Sequence, residues 1–227
     1  MLWSDLASVR PGRFYLLGIN PGGRSGPGMP QIREALCAPD GTNHWADQCW
    51  MCRAGETCRH LDPATGRLRP EARSKTQKRV CDLLDALGAA PPDVLSTNLA
   101  FARSAQLRTL DGAAEWFDRC WPVHQALLRA VRPDWIVMLG YNRTFDLLWR
   151  RGTAPKKYDA VEAANAPVAR HWRMTLDIGG GDTRDVRVLA VRHPSQQGFN
   201  RVGLGGADRY PDELRSFIVA EVLGGRA

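Results

Sequence analysis

The stretch FYLLGINPGG, residues 14–23, joins an apolar run to an abrupt change into asparagine, proline and glycine. Three further runs rich in apolar and β-branched side chains occupy residues 93–101, 134–140 and 186–193. Three of these four runs lack a clean alternation of polar and apolar residues, which is typical of strands covered on both faces. We therefore predict four strands at the centre of a buried sheet.

Helical patterns lie between these strands at residues 74–88, 112–133 and 142–152, and a fourth at residues 211–225 closes the chain. The first has a start signal at Ser74 and a stop signal at Gly88, and the second contains Pro122, a residue that can split a helix. Strands that alternate with helices predict a three-layer α/β/α sandwich with a central, mainly parallel four-stranded sheet. A hairpin across residues 179–181 is expected to add an antiparallel edge strand near residues 172–176.

Length and composition fit one domain over residues 1–227, since 227 residues with 44% hydrophobic side chains can bury a full core. No apolar run approaches the roughly 20 residues that span a bilayer, and the first residues lack the order of a secretory signal. We therefore expect a cytoplasmic protein without membrane contact. The net charge is +7, mostly from arginine. Such a charge fits a nucleic-acid partner, and equally a genome that favours arginine codons.

Amide or imidazole side chains follow all four predicted strands. The strand ends read Asn20-Pro21-Gly22, Thr97-Asn98, Gly140-Tyr141-Asn142 and His193-Pro194-Ser195. Ligands of open α/β sheets bind beyond the carboxyl ends of the strands. The sequence therefore predicts a pocket of neutral hydrogen-bonding groups, suited to a neutral planar ligand such as a nucleobase.

Two of these strand ends resemble motifs of one family. GINPGG (residues 18–23) resembles the first motif of the uracil-DNA glycosylase superfamily, closest to its mismatch-specific and single-strand-selective branches, and HPSQQGFNR (residues 193–201) resembles the second. The order of elements matches over residues 14–201. The resemblance implies a monofunctional DNA glycosylase of base excision repair, which hydrolyses the N-glycosidic bond of uracil or a related damaged base.

The resemblance also implies roles for single residues. His193 would stabilise the negative charge on the departing base, Asn20 would position the attacking water, and Asn98 would read the edge of the base. The related branches carry an aromatic residue shortly after the first-motif asparagine, where this chain has none, so Met29 and Phe101 are alternatives for contact with the base. The other predicted substrate contacts are Gly18, Ile19, Pro21, Gly22, Gly23 and Ser195.

Such an enzyme must flip its target base out of a duplex or act on a single strand, so DNA is the expected partner. Phe199 is the preferred wedge into the vacated space and Gln197 the alternative. The other predicted DNA contacts are Arg24, Arg192, Asn200 and Arg201. We expect the protein to act as a monomer.

A cysteine- and histidine-rich insertion occupies residues 37–66. Cys49, Cys52 and Cys58 are spaced C-x2-C-x5-C, and His60 or His44 would supply a fourth ligand for structural zinc, which we favour over an iron–sulfur cluster. The alternative is a polar surface loop with free thiols. Catalysis itself is expected to need no cofactor.

Other prominent residues have structural interpretations. His124 is expected to be a hydrogen-bonded core residue, and Cys81 and Cys120 small core residues. The basic run at residues 72–79 fits a solvated helix start, or a phosphate-binding one. Two alternatives to a glycosylase remain open: a nucleic-acid-binding protein on the same fold with little or no turnover, and a hydrolase of free nucleosides or nucleotides.

Overall fold

The computed structural model describes residues 8–19, 75–101, 112–141, 143–153, 158–163, 166–194 and 209–224. Seven strands of these residues form one mixed sheet, in the order β2-β1-β3-β7-β6-β4, with β5 also paired to β6. The strands are β1 (Phe14–Gly18), β2 (Leu95–Asn98), β3 (Trp135–Leu139), β4 (Gly152–Thr153), β5 (Asp159–Ala163), β6 (Ala166–Gly179) and β7 (Asp182–Val191).

The four predicted strands correspond to β1, β2, β3 and β7, which lie side by side and run parallel. Their register brings the carboxyl ends to one edge, because Gly18 is opposite Asn98 and Leu139 is opposite Val191. β1 lies between β2 and β3, so the chain leaves β1 toward β2 and then crosses to the other side. A ligand crevice is expected at such a reversal of strand order.

Helices cover both faces of the sheet. They are α1 (Lys75–Ala86), α2 (Ala113–Val131), α3 (Arg143–Trp149) and α4 (Asp212–Phe217), and α4 continues into a π-helical turn, Ile218–Val222. A short 3-10 helix, Pro91–Asp93, precedes β2. No helix within these described segments is long and apolar enough to cross a membrane.

Two separate cores show the three layers. Val80, Leu83, Leu84 and Leu87 recur at helical spacing and pack, with the C-terminal helical residues, against one face of the sheet. Phe117, Trp121 and Leu128 of α2 and Leu148 of α3 pack against the other face. Neighbouring strand residues alternate between the cores: Leu16 belongs to the first and Leu17 to the second. The α/β/α prediction is confirmed. The sheet has seven strands instead of the four predicted, and it is mixed because β4, β5 and β6 add three antiparallel pairings to the parallel strands β1, β2, β3 and β7.

Some predicted details differ from the structure. Pro122 lies inside α2 but does not split it: the helix is continuous over Ala113–Val131, and Trp121 and Leu128 pack it against the sheet. The hairpin at residues 179–181 is present, but β6 is not an edge strand. β6 is 14 residues long and pairs with β7 on one side and with β4 and β5 on the other.

Candidate functional site

The rim of the candidate site consists of the carboxyl ends of the four parallel strands. Asn98 ends β2, and His193 follows β7 by two residues. Three strand spacings separate β2 from β7, about 14 Å at about 4.8 Å each. A gap of this size accommodates a base and its sugar between two side chains.

The rim brings together part of the predicted set. Gly18, Ile19, Asn98, Phe101, Arg192 and His193 belong to the described residues. The other predicted catalytic, substrate and DNA contacts lie outside them: Asn20, Pro21, Gly22, Gly23, Arg24, Met29, Ser195, Gln197, Phe199, Asn200 and Arg201. The backbone still locates the entrance to the first motif, because the Leu99 and Ala100 N–H groups donate to the Gly18 and Ile19 carbonyls at 2.9 and 3.0 Å.

Asn98 is fully buried, at 0% exposure. Neither Oδ1 nor Nδ2 has a hydrogen-bond partner within the described part of the chain. By strand alternation its side chain lies on the face of β2 shared with Val94, which belongs to the core on the α1 side. Buried polar groups in proteins are normally paired, so an amide with two unused atoms at a strand end is a candidate for ligand contact.

His193 is a neutral donor at this rim. Burial lowers the pKa of its imidazole from 6.5 to about 4, because desolvation disfavours the charged form. At neutral pH the ring therefore has one N–H donor and one acceptor nitrogen. Such a group can donate a hydrogen bond to a developing oxyanion without itself carrying a charge.

Two side chains hold the backbone on either side of His193. The buried Arg79 of α1 donates from Nη1 to the Pro194 carbonyl at 2.6 Å. The Tyr210 hydroxyl donates to the Arg192 carbonyl at 2.9 Å, and burial keeps it protonated by raising its pKa. The backbone is therefore held at the residue before His193 and at the residue after it.

We refer to Arg79 and Tyr210 as the brace. Hydrogen bonds and an ion pair connect Tyr210 of the brace to the C-terminal helix. The Tyr210 N–H donates to Asp82 Oδ2 at 2.8 Å, and Arg215 of α4 pairs with Asp82 Oδ1 at 2.5 Å. Burial is the main influence on Asp82 and raises the pKa of its carboxyl. The chain from α4 through Asp82 to Tyr210 ties the position of His193 to helix packing.

The sequence did not reveal either brace residue as such. Arg79 ends the basic run at residues 72–79, for which a solvated helix start was one expectation, but its side chain is 3% exposed. Burial of an arginine depends on an acceptor across the fold, and here that acceptor is a carbonyl 115 residues away in sequence. Tyr210 has no motif around it that would have marked it.

His124 is a structural residue, as predicted. Its Nε2 faces the Leu99 carbonyl at 3.0 Å, which can only accept, so Nδ1 is the acceptor for the Tyr15 hydroxyl at 2.8 Å. Burial lowers the pKa of His124 to about 4. The Phe101 ring lies 5.4 Å from the His124 ring, and the Phe101 N–H donates to Cys120 Sγ at 3.3 Å. Phe101 thus packs toward α2, whereas the Asn98 side chain lies on the α1 side.

The predicted metal ligands Cys49, Cys52, Cys58 and His60, with the alternative His44, all lie outside the described residues. Within the described segments, no group of three or more His, Cys, Asp or Glu side chains is arranged to hold a metal ion. The zinc site in the insertion therefore stays a prediction.

The arrangement can bind a neutral, planar ligand through an amide and stabilise negative charge through a neutral imidazole. A comparison of the chain with models of protein families finds no match. A comparison with curated protein sequences finds none either.

Proposed function

We propose that this protein is a monofunctional DNA glycosylase that removes uracil or a related deaminated or damaged base. The observation that carries the proposal is the buried amide of Asn98, whose two polar atoms have no partner in the described part of the chain. It lies on the same rim as His193, which burial keeps neutral. The proposed reaction, hydrolysis of an N-glycosidic bond, is inferred from the motif resemblance at residues 18–23 and 193–201.

Asn98 would provide recognition. Its Nδ2 can donate to O4 of uracil while its Oδ1 accepts from N3–H. The amino group of cytosine would meet the Nδ2 donor instead, and this mismatch would leave buried groups unpaired. A site that hydrogen-bonds its substrate in this way rejects an analogue with the wrong pattern strongly.

His193 and Asn20 would provide the chemistry. Water adds to C1′ of the sugar, the C1′–N1 bond breaks, and its electron pair leaves with the base, mainly onto O2. The His193 N–H donates to this oxygen, and a single donor of this kind typically contributes about 100- to 1,000-fold in kcat. Asn20 would orient the water, since an amide cannot act as a general base. The proton of the water is released to solvent.

The remaining parts of the proposal follow from this reaction. Neither motif contains a lysine, so we propose hydrolysis without a Schiff-base lyase step. We place the enzyme in base excision repair in the cytoplasm, acting as a monomer on DNA. Cys49, Cys52, Cys58 and His60 would hold a structural zinc ion that takes no part in the reaction.

The test is release of a base from labelled oligonucleotides that contain deoxyuridine, deoxyinosine, xanthine or 5-hydroxymethyluracil, in single- and double-stranded form. Alkali then cleaves at each abasic site. We expect cleavage by the wild type and a loss of about 100-fold or more in His193→Ala and Asn98→Ala. His171→Ala is the matched control, because His171 is also partly buried but packs on Phe217, 4.5 Å between ring centroids.

Two outcomes would replace the proposal by another function. Binding to every substrate without strand breaks would identify a nucleic-acid-binding protein on this fold. Cleavage of free nucleosides, with no action on any oligonucleotide, would identify a nucleoside hydrolase. Equal activity of His193→Ala and His171→Ala would reject His193 as a catalytic residue.

A further inference from the structure

A cluster of two tyrosines and two arginines lies beside the rim, on the side of β6. Tyr141 follows β3, Arg192 follows β7, Tyr158 precedes β5, and Arg170 is opposite Ala190 near the end of β7. We refer to Tyr141, Tyr158, Arg170 and Arg192 as the Arg170 surface. Arg192 immediately precedes His193 in the sequence, so this surface adjoins the candidate site.

The guanidinium of Arg170 is stacked against two aromatic rings. Its Cζ lies 4.9 Å from the ring centroid of Tyr141 and 4.5 Å from that of Tyr158. Its Nη1 donates to the Tyr141 carbonyl at 3.3 Å. Stacking on two rings and one hydrogen bond fix the plane of this guanidinium, and a fixed fork of donors suits a phosphate better than a mobile one does.

Arg192 brings a second positive charge to the same tyrosine. Its Nε donates to the Tyr141 hydroxyl at 3.3 Å, and that hydroxyl donates in turn to the Pro167 carbonyl at 2.8 Å. Both guanidiniums therefore contact Tyr141, one through the ring and the other through the hydroxyl. Two like charges held on one side chain repel each other, and an anion close to both would offset this repulsion.

The described residues supply no carboxylate for either arginine. Arg151, Arg184 and Arg215 each form an ion pair with an aspartate. Arg170 and Arg192 form none with a described residue, although Asp159 and Glu162 lie on the adjacent strand β5. Within the described residues the positive charge of the Arg170 surface is therefore not neutralised by an ion pair.

Tyr158 adds exposed aromatic area, since 39% of this residue is accessible to solvent. An exposed ring beside fixed cations is the combination with which proteins hold single strands: cations contact the backbone and bases stack on rings. Paired bases in a duplex are not available for such stacking. The surface therefore fits an unpaired segment of nucleic acid.

We propose that the Arg170 surface binds the DNA strand next to the flipped nucleotide, with a phosphate held by Arg170 and Arg192 and an unpaired neighbouring base stacked on Tyr158. The inference rests on the proposed function for its substrate, DNA. It adds a second contact region and a preference for a single-stranded or locally opened segment.

The test measures binding without catalysis. A fluorescein-labelled oligothymidylate of about 12 nucleotides, which contains no damaged base, is titrated with protein, and anisotropy gives Kd at several salt concentrations. We expect Arg170→Gln, Arg192→Gln and Tyr158→Ala each to weaken binding about 10-fold. The two arginine variants should also reduce the slope of log Kd against log salt by about 0.7 per lost phosphate contact, whereas Tyr158→Ala should leave the slope unchanged.

Arg173→Gln is the matched control. Arg173 lies on the same strand, three residues from Arg170 and hence on the opposite face of the sheet, and its side chain is exposed. The substitution removes the same charge, so it corrects for net charge. Thermal unfolding of all variants checks the fold, and Tyr158→Ala tests the surface even where Arg170→Gln is unstable.

The outcomes separate this inference from the proposed function. A Kd for Arg170→Gln and for Tyr158→Ala within two-fold of that for Arg173→Gln would overturn the inference, whether or not the enzyme cleaves damaged DNA. Selective weakening by Arg170→Gln and Tyr158→Ala would support it, even if every glycosylase substrate remained intact. Binding to a duplex of the same length gives a second comparison for Tyr158→Ala. If this variant weakened single-strand and duplex binding equally, the inference would also fail, because Tyr158 would then not be stacking on an unpaired base.

Discussion

Replacement of Asn98 by leucine should make the protein more stable and less active. Leucine has the same branching as asparagine, with methyl groups in place of Oδ1 and Nδ2. Each buried polar atom left without a partner costs about 1–3 kcal/mol, so removing both gains about 2–6 kcal/mol. The larger methyl groups overpack the site, which lowers the free energy of unfolding by about 1–3 kcal/mol. We expect a net gain of about 2 kcal/mol, which raises Tm by about 4–8 °C for a chain of this size.

Urea unfolding followed by fluorescence measures the change in the free energy of unfolding, provided that the m-value is unchanged. Ser96→Ala is the control on the same strand: the Ser96 hydroxyl donates to the Val94 carbonyl at 3.1 Å. Its loss should destabilise the protein by about 0.5–1.5 kcal/mol. The two substitutions at neighbouring inward positions of β2 should therefore change stability in opposite directions.

Ligand binding gives a second measurement on the same pair of proteins. Free uracil at 100 times its Kd should stabilise the wild type by about 2.7 kcal/mol and leave Asn98→Leu unchanged. A destabilisation of Asn98→Leu by more than about 1 kcal/mol would refute the reasoning, since the amide would then be hydrogen-bonded in the folded state. So would equal stabilisation of both proteins by the base.

Three further predictions concern the brace, the buried histidines and the sheet. Tyr210→Phe should lower stability by about 1–3 kcal/mol, because the carbonyl before His193 loses its donor, and should lower kcat about 10-fold with little change in KM. The imidazole proton signals of His193 and His124 should titrate in NMR near pH 4. Because these pKa values are lowered from 6.5, the stability that the two residues contribute is complete above pH 6.5 and falls as the pH falls toward 4. Acid unfolding measures this loss. Gly152→Ala should cost about 1–3 kcal/mol in urea unfolding without loss of activity, since a Cβ there would collide with the Thr175 carbonyl far from the rim.

The central strands were predictable because a strand buried on both faces is apolar at nearly every position. β1 and β3 are buried along their whole length, and their sequences are correspondingly apolar. α1 was predictable for a similar reason, since its apolar spacing matches one helical face and Gly88 ends it with φ +65°. In each case the pattern is contained in one short segment of the sequence.

The antiparallel part of the sheet was less accessible from sequence. β5 alternates exposed and buried residues over only five positions, and β4 has two exposed residues. Neither carries enough apolar surface to mark a strand by itself. They are strands because β6 is long enough to pair with both, and the length of β6 depends on its pairing with β7. That information is not local.

The candidate site divides in the same way. The positions of Asn98 and His193 at the rim were predictable, because each lies at or just beyond the end of a recognisable strand and strand ends lie along one edge of the sheet. The brace was not predictable, because Arg79 and Tyr210 bind backbone carbonyls. Every residue has a carbonyl, so the sequence does not indicate which one accepts a side-chain hydrogen bond. Motifs identify groups that contact the ligand; the residues that hold those groups are found only through their contacts.

One physical cause links the two central features of the rim. Exclusion of water leaves the Asn98 amide without partners and also lowers the pKa of His193. A pair of carboxylates in the same place would lose several kcal/mol of hydration each on burial, and would take up protons instead of remaining charged. An amide and an imidazole remain neutral, so they can be kept dry before the ligand arrives. In a dry site their dipoles act more strongly on charge that develops during bond cleavage, and they need no reorganisation at that moment. A neutral set of side chains at this rim is therefore consistent with a reaction in which the bound base is uncharged and becomes an anion as it leaves.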